Sequence, residues 1–490
     1  MTTQTVLAVD LGAESGRVMA VHVTAAAVRG NDTLQVEELH RFPNTTVSVR
    51  GTLYWDFLRL WRDIQAGLTQ GLALRPASIG VDTWGVDFAL LDAQGELLGN
   101  PVHYRDRRTE GMMELVLARV GKECVFEQTG IQFMPINTLY QLMSLVEKQS
   151  LQLKAAHTFL TVPDLLNYWL TGTLACEFTN ATTTQLFNPR TGNWAAELME
   201  TLSIPRSIFP PVIQPGTPIG AYEGVSVIAP ACHDTGSAVA AVPASAQTPH
   251  YAYISSGTWS LVGLEVTAPI INAAALAANV TNEGGVAGTY RLLKNVMGLW
   301  IIQQCRATWE AGGQPYTYAE LAQLAEAAPP LRAFIDPDDA RFLPAGNHIV
   351  LIQTLCAERG QPIPYTPGEI IRCVLDSLAL AYRDVLNTLQ TLAGTTCEMI
   401  HIVGGGARNE LLCQLTANAT GLPVVAGPVE ATVLGNALVQ LIAQGALANL
   451  VEARQLVARM GDLRRYEPRD TARWDEAFQR FQQMRANQPK

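Results

Sequence analysis

Asp10, Leu11, Gly12, Ala13, Glu14, Ser15, Gly16 and Arg17 close an apolar run near the start of the chain. A carboxylate at the end of such a run, followed by two glycines, suits a turn whose backbone N–H groups surround an anion without long side chains. Asp10 is then the group expected to hold a hydrated divalent cation, because a bare carboxylate against phosphate would repel it. An ordinary hairpin turn has the same composition, and neither GxxxxGK[ST] nor a GxGxxG after this strand is present. Two further turns have related chemistry. Ile254-Ser255-Ser256-Gly257-Thr258 offers small donors, and Val403-Gly404-Gly405-Gly406-Ala407-Arg408-Asn409 removes Cβ crowding where a strand meets a helix. A tight connection explains the second equally well, and Asn409 suits a helix cap.

Ala231-Cys232-His233-Asp234-Thr235-Gly236 is the segment expected to do proton chemistry. Adjacent Cys232 and His233 project differently and lack an orienting partner, which weighs against a thiol nucleophile. Asp234 is the better candidate, since a carboxylate beside an alcohol can take its proton as the oxygen attacks a phosphoryl group. Capping of a helix beginning near Thr235 is its structural alternative. Thr83-Trp84-Gly85-Val86-Asp87 reads as another wall of the same region. Trp84 would cover an apolar face or sit in a core, Gly85 would allow close backbone approach, and Asp82 and Asp87 supply acceptors. Tyr104-Arg105-Asp106-Arg107-Arg108 adds donors, or forms an internal salt-bridged turn.

The elements that would position these groups follow from periodicity. Residues 6–12, 17–23 and 33–42 read as strands, the first two as a hairpin, and Phe57, Leu60, Ile64 and Leu68 give 56–72 a helical stripe. Residues 78–99 read as strand, Asp-containing turn and strand. Helices are expected around 110–121, 137–150 and 164–170, the last between Pro163 and Gly172. The proline-rich 203–220 argues against a long regular element. A second strand, small-residue turn and strand begins at 251, which suggests two lobes of related topology: 1–245, 246–455 and a charged tail, 456–490, expected to be exposed and partly helical.

The 490 residues, 48% hydrophobic and 16% charged, can fill two large cores. A net charge of −10 argues against a nucleic-acid or anionic-membrane surface. No run reaches the roughly 18 apolar residues of a membrane span, and the N-terminal residues lack a basic region and cleavage site, so a cytoplasmic protein is expected. Eight cysteines without a CxxC pair form no dense disulfide framework.

Taken together, AVDLGAESGR, IGVDTWGVDF, HYRDRRT, TGIQFMPINTLYQL, EFTNATTTQL, HDTGSAV, YISSGTWSL, TNEGG, LLKNVMGLW, HIVGGG and AGPVEATVLGN resemble the FGGY family of carbohydrate kinases, from about residue 5 to 450. The resemblance is to the branch acting on L-rhamnulose. It implies an α/β, two-lobed, actin-like (ribonuclease-H-like) sugar kinase fold with ATP in the interdomain cleft and Mg2+ as cofactor. The implied reaction is phosphorylation of L-rhamnulose, or a related ketose, at the C1 hydroxyl. Carried over by position, Asp234 is the base; Trp84, Gly85, His233, Thr235 and Asn295 approach the sugar; Ala13, Glu14, Ser15, Gly16, Arg17, Thr258, Gln303 and Gly405 meet the nucleotide; and Asp10 organises the metal. Cys356 and Cys373 match a pair that forms a disulfide in a relative, and two thiols are expected in a cytoplasmic enzyme.

Two departures stand out. Ala13 replaces the threonine of many DxGT phosphate turns, and Glu14 would be unfavourable if aimed at phosphate, so it is expected to point outward or to reach metal or Arg17. A kinase for L-fuculose or a pentulose, a silent sugar sensor and an actin-like scaffold are the competing functions. The sequence holds no coiled coil or swapping arm, as expected of a monomer.

Overall fold

The structure, a computed structural model, describes residues 3–24, 33–244, 250–460 and 463–486. The expected lobe boundary near residue 245 lies outside the described residues. The chain forms two compact units. The first comprises Met1–Ala246, Glu265–Leu293 and Ala431–Gly461; the second comprises Gln247–Leu264, Lys294–Glu430 and Asp462–Lys490.

In the first unit β1 (Thr3–Leu11), β2 (Ser15–Thr24) and β3 (Thr33–Pro43) form an antiparallel meander. Strand Ser78–Thr83 adds parallel to β1, Val225–Ala229 parallel to that, and Thr217–Tyr222 closes the edge antiparallel. Ser78–Thr83 is buried along its whole length, as a parallel strand covered on both faces must be. Helix α1 (Phe57–Leu72) lays Phe57, Leu60, Ile64 and Leu68 on this sheet. The second unit repeats the sequence of directions. Tyr251–Ser256 and Trp259–Val266 form the hairpin, Met399–Val403 and Val424–Ala426 follow in parallel, and Arg464–Tyr466 closes antiparallel.

Helix Ala431–Ala443 belongs to the first unit although it is remote in sequence, and polar side chains stitch it to the sheet. Gln440 donates to the Leu7 carbonyl at 3.0 Å and accepts from the Ser78 hydroxyl at 2.6 Å. Asn436 donates to the Gly80 carbonyl at 3.2 Å. Buried amides of this kind must find partners, so their pairing fixes the register of the helix on the sheet. Gly435 allows it to press on the helix Asp234–Ala240, where a Cβ would collide with the Ser237 carbonyl.

One expectation changes, that of an exposed tail, and two strands take settings that the sequence pattern does not specify. Thr217–Tyr222 is a strand despite Pro218, tolerated because it lies at the edge and carries a bulge between Pro218 and Gly220. Phe88–Leu91 turns away to pair with Thr158–Thr161. The tail is docked, not exposed: helix Thr471–Ala486 buries Trp474, Ala477, Phe478 and Phe481, while Arg485 meets Asp384 at 2.8 Å and Asp336 at 3.2 Å. Among the described residues no helix is long and apolar enough to cross a membrane. Phe481 is fully buried beside Phe334, so Phe481→Ala is expected to cost the second unit ~3–5 kcal/mol in urea unfolding. A cost below ~1 kcal/mol would show the helix to be only loosely attached.

Candidate active site

The C-terminal ends of the parallel strands in the first unit carry three carboxylates. Asp10 stands in register with Asp82 on the neighbouring strand, and Thr83 pairs with His233, which precedes Asp234. In open α/β sheets this edge is where ligands bind. Each carboxylate has its own compensation. Arg17, cross-strand from Asp10, donates to its Oδ2 from Nε at 3.0 Å and Nη2 at 2.6 Å. Asn436 donates to Asp82 Oδ2 at 2.6 Å, while Asp82 Oδ1 is buried without a hydrogen-bond partner. Burial, then the nearby Asp10 charge, pushes the Asp82 carboxyl well above the usual range, and Asp234 adds to the effect. Asp234 accepts at Oδ1 from the Thr235 backbone (2.5 Å) and hydroxyl (3.1 Å), yet its side chain stays 31% exposed. Burial raises its pKa too, opposed by His233 and assisted by Asp10. Among the described residues no group of three or more His, Cys, Asp or Glu side chains is arranged to hold a metal ion.

The turn after Asp10 closes through Gly12 N–H to the Ser15 carbonyl at 2.9 Å, leaving Ala13 and Glu14 at its tip. Asn44 buttresses it, donating from its amide side chain to the Gly12 carbonyl (2.8 Å) and from its backbone to the Glu14 carbonyl (3.0 Å). Glu14 is exposed, as its sequence setting requires. The missing Cβ of Gly16 is a packing requirement, because its place is taken by the Phe42 ring and Leu11.

The loop holding His233 and Asp234 is pinned from behind. Glu177, fully buried, caps the short helix Phe178–Ala181 through the Thr179 and Asn180 backbones and accepts from the Cys232 N–H at 3.0 Å. The Thr179 hydroxyl accepts from the His233 N–H at 3.0 Å. Burial pushes Glu177 up to about 7. Burial also drives the Cys232 thiol well above its usual range, which removes the nucleophilic reading of that cysteine.

Trp84 and Gly85 lie on a strained connection. Val86, a β-branched residue, adopts φ +68°, a conformation maintained only where surroundings over-determine it. Here they do. Val86 N–H donates to Thr183 Oγ1 at 3.1 Å, and its carbonyl accepts from Thr138 Oγ1 at 2.6 Å and Gln141 Nε2 at 3.2 Å. Asp87 collects four donors: Trp55 Nε1 (2.6 Å), Trp84 Nε1 (3.0 Å), the Tyr104 N–H (3.2 Å) and Gln141 Nε2 (3.1 Å). The Trp55 ring lies 4.2 Å from Trp84 and 4.1 Å from His103, centroid to centroid. Trp84 is thus a buried, oriented member of an aromatic stack.

In the second unit Thr258 and Gln303 come together, Gln303 Nε2 lying 3.5 Å from Thr258 Oγ1. Gln303 Oε1 is buried without a hydrogen-bond partner. The Thr258 carbonyl is held by the N–H groups of Gly298 and Trp300, both at 3.2 Å. The three glycines of the last turn have separate reasons. Gly404 takes φ +83°, Gly406 sits where a Cβ would strike Ser256, and Gly405 alone faces open space. Asn409 caps the following helix, accepting from Leu412 N–H at 3.0 Å. Asn295 falls in this unit, with Thr258, Gln303 and Gly405, whereas Trp84 and Asp234 fall in the first. Cys356 and Cys373 are both free thiols.

Residues 5–226 match the N-terminal domain of the FGGY family of carbohydrate kinases, and residues 252–444 match its C-terminal domain. The chain belongs to this family. It is a sugar kinase, a phosphotransferase that uses ATP. It is 44% identical to a rhamnulokinase of Pectobacterium carotovorum, covering 99% of this chain and 97% of the relative. It is 43% identical to a rhamnulokinase of Bacteroides thetaiotaomicron, covering 98% and 99%. The fold is the two-domain, actin-like one of sugar and glycerol kinases. A ligand-bound xylulose kinase from Lactobacillus acidophilus superposes with a TM-score of 0.80 at 18% identity, covering 99% of this chain and 98% of that one.

Several residues of this candidate site escape a reading by local chemistry. Asp82 and Asp87 were legible only as generic acceptors. Glu177, Thr179, Glu283, Arg291 and Asn436 lie inside the family motifs EFTNATTTQL, TNEGG, LLKNVMGLW and AGPVEATVLGN or beside them, and their partners are remote in sequence.

Burial raises Asp87 to about 6 against the hydrogen bonds from Trp55, Gln141 and Trp84, whereas His103, buried beside it, is pushed down to about 3. Protonation places an O–H among four donors. Tryptophan fluorescence is therefore expected to change through a step near pH 6, with the ionised form above it, and Asp87→Asn should abolish that step. A step unaltered in a folded variant would exclude Asp87 as its origin. In the second unit, Gly405→Ala should shift stability by no more than ~0.5 kcal/mol, while Gly406→Ala, forced against Ser256, should cost clearly more in urea unfolding. Equal costs would contradict these separate roles.

Proposed function

We propose that the protein is a rhamnulokinase, transferring the γ-phosphoryl group of ATP to the C1 hydroxyl of L-rhamnulose to give L-rhamnulose 1-phosphate and ADP. The reading includes a place in L-rhamnose catabolism, in the cytoplasm, as a monomer. The observation that carries it is Asp234. This partly exposed carboxylate opens a helix at the strand-end edge of the sheet, in a chain 42–44% identical over nearly its whole length to curated rhamnulokinases.

In this mechanism Asp234 takes the C1 hydroxyl proton as the oxygen attacks the γ-phosphorus. A pKa raised by burial and by Asp10, against the opposing effect of His233, makes it a stronger base than an ordinary carboxylate. His233 and Thr235 orient it and reach toward the sugar. Trp84, fixed by Asp87, walls the sugar with Gly85, and Asn295 contributes to substrate binding. The turn from Ala13 to Gly16, with Arg17, receives phosphate through backbone donors. Thr258, Gln303 and the open face of Gly405 take the nucleotide.

The donor set suits Mg2+, a hard cation that keeps several waters and takes one or two carboxylates, so no closed cage is required. Asp10 would hold it, with the bare Oδ1 of Asp82 as a neighbouring acceptor. When bound it neutralises phosphate charge.

Sugar-dependent ADP release in Mg-ATP, measured with L-rhamnulose, L-fuculose, L-xylulose, L-ribulose and glycerol, is expected to favour L-rhamnulose and to yield its 1-phosphate. Preference for another ketose would overturn the substrate while leaving the chemistry. Asp234→Asn should lower kcat by about 10²- to 10⁴-fold with folding and ATP binding retained. Near-normal transfer by the folded variant would remove Asp234 from the role of base.

A further inference from the structure

Behind His233 lies a buried ion pair that the family motifs carry but that local sequence chemistry does not assign. Glu283, on strand Thr281–Gly284, and Arg291, on strand Tyr290–Met297, are register partners, and Arg291 is fully buried. Arg291 donates from Nε to the Gly284 carbonyl at 2.8 Å, and its Nη2 lies 3.2 Å from Glu283 Oε2. Both charged groups also meet one atom of His233: Nδ1 is 3.1 Å from Arg291 Nη2 and 3.2 Å from Glu283 Oε2. The other ring nitrogen, Nε2, lies 3.4 Å from Asp234 Oδ1.

A guanidinium can only donate hydrogen bonds. A neutral imidazole with its proton on Nδ1 would set N–H against N–H at Arg291 and turn a bare Nε2 toward the Asp234 carboxylate. The neutral form protonated at Nε2 avoids this: Nδ1 accepts from Arg291, and Nε2 carries a proton and faces Asp234.

We infer that Arg291, held in place beside Glu283, is a positioning device for the base: it excludes the tautomer of His233 that would repel Asp234, and so keeps Nε2–H directed at the carboxylate that must receive the sugar proton. This deepens the reading of Asp234 as base and rests on it. Arg291 and Glu283 touch neither sugar nor nucleotide in this scheme; they act through His233. The neighbouring contacts hold His233 in place for the task. Its backbone N–H is fixed on Thr179, and the Gly284 N–H is fixed on Thr182 Oγ1 at 2.8 Å, so ring and ion pair are attached to the same 177–184 segment.

The test is nitrogen-15 NMR of histidine-labelled full-length protein, with His233 assigned by comparison with His233→Gln. The expected spectrum has His233 Nε2 protonated; a bare Nε2 with a protonated Nδ1 overturns the inference. The kinetic arm uses Arg291→Met, which leaves Glu283 to draw a proton onto Nδ1. Its kcat is expected to fall about 10- to 100-fold, with KM for sugar and for ATP within about threefold, and Arg291→Lys, which keeps a donor-only cation, should recover most of the loss. A folded Arg291→Met with unchanged kcat, or a loss confined to KM, also overturns it. If Arg291→Met does not fold, the spectrum of the unaltered protein decides alone. Asp234→Asn separates the two claims. Normal turnover there defeats the base reading whatever the tautomer, whereas a dead Asp234→Asn beside an unaffected Arg291→Met defeats only the positioning role.

Discussion

Three carboxylates on the ends of adjoining strands set the terms for the rest of the first unit. In this buried setting Asp10 and Asp234 raise the cost of ionising Asp82, Asp10 raises that of Asp234, and like charges placed opposite each other on neighbouring strands destabilise a sheet. The fold meets this constraint with a different partner for each group. Arg17 supplies a full positive charge to Asp10, and Asn436 supplies a neutral amide to Asp82. Asp234 receives two hydrogen bonds from Thr235 and the His233 ring at its side. The grading has chemical sense. The residue proposed to accept a proton has no permanent cation bonded to it and, unlike Asp82, is partly exposed, so its basicity is retained where a substrate can reach it.

These partners explain why helix Ala431–Ala443 joins the first unit. Asn436 reaches Asp82 only if the helix sits in one register, and the Gln440 bonds to Leu7 and Ser78 enforce that register one turn away. Gly435 then brings the same helix against the helix that Asp234 opens. A short run, Gly435-Asn436, thus serves two of the three carboxylates. Packing and electrostatics are coupled here. A Cβ at position 435 would displace the amide that makes Asp82 tolerable.

Much of the frame was legible in the sequence because its signals are local. The 3.6-residue stripe in Phe57–Leu72, the Pro163 start and Gly172 stop, and the apolar runs entering Asp10 and Val403 each follow from a few neighbouring residues. Thr217–Tyr222 was not, since a proline argues against a strand until its edge position is known. The supporting polar groups were not legible either, for a related reason. Glu177 is an ordinary acid two residues before an ordinary threonine until the chain brings Cys232 to its carboxylate, a separation of 55 residues. Val86 gives no warning of φ +68°, because nothing in its type favours that conformation and only Thr138, Gln141 and Thr183 impose it. Local chemistry identifies groups that act at chain turns; it cannot identify groups whose function is to hold another segment.

The two units use one sequence of strand directions for opposite chemical ends. At the edge of the first, side chains carry charge and the backbone is crowded, with Gly16 packed against Phe42 and Gly85 against Thr183. In the second, the comparable turn after Met399–Val403 presents almost no side chain, and Gly405 faces open space between two glycines that are required for conformation and packing. Under the proposed reading, a carboxylate edge that discriminates and deprotonates a small polar molecule needs rigid, mutually compensated side chains to match sugar hydroxyls of defined direction. A glycine turn proposed to take the nucleotide needs clearance instead, and a Cβ at position 405 would meet nothing.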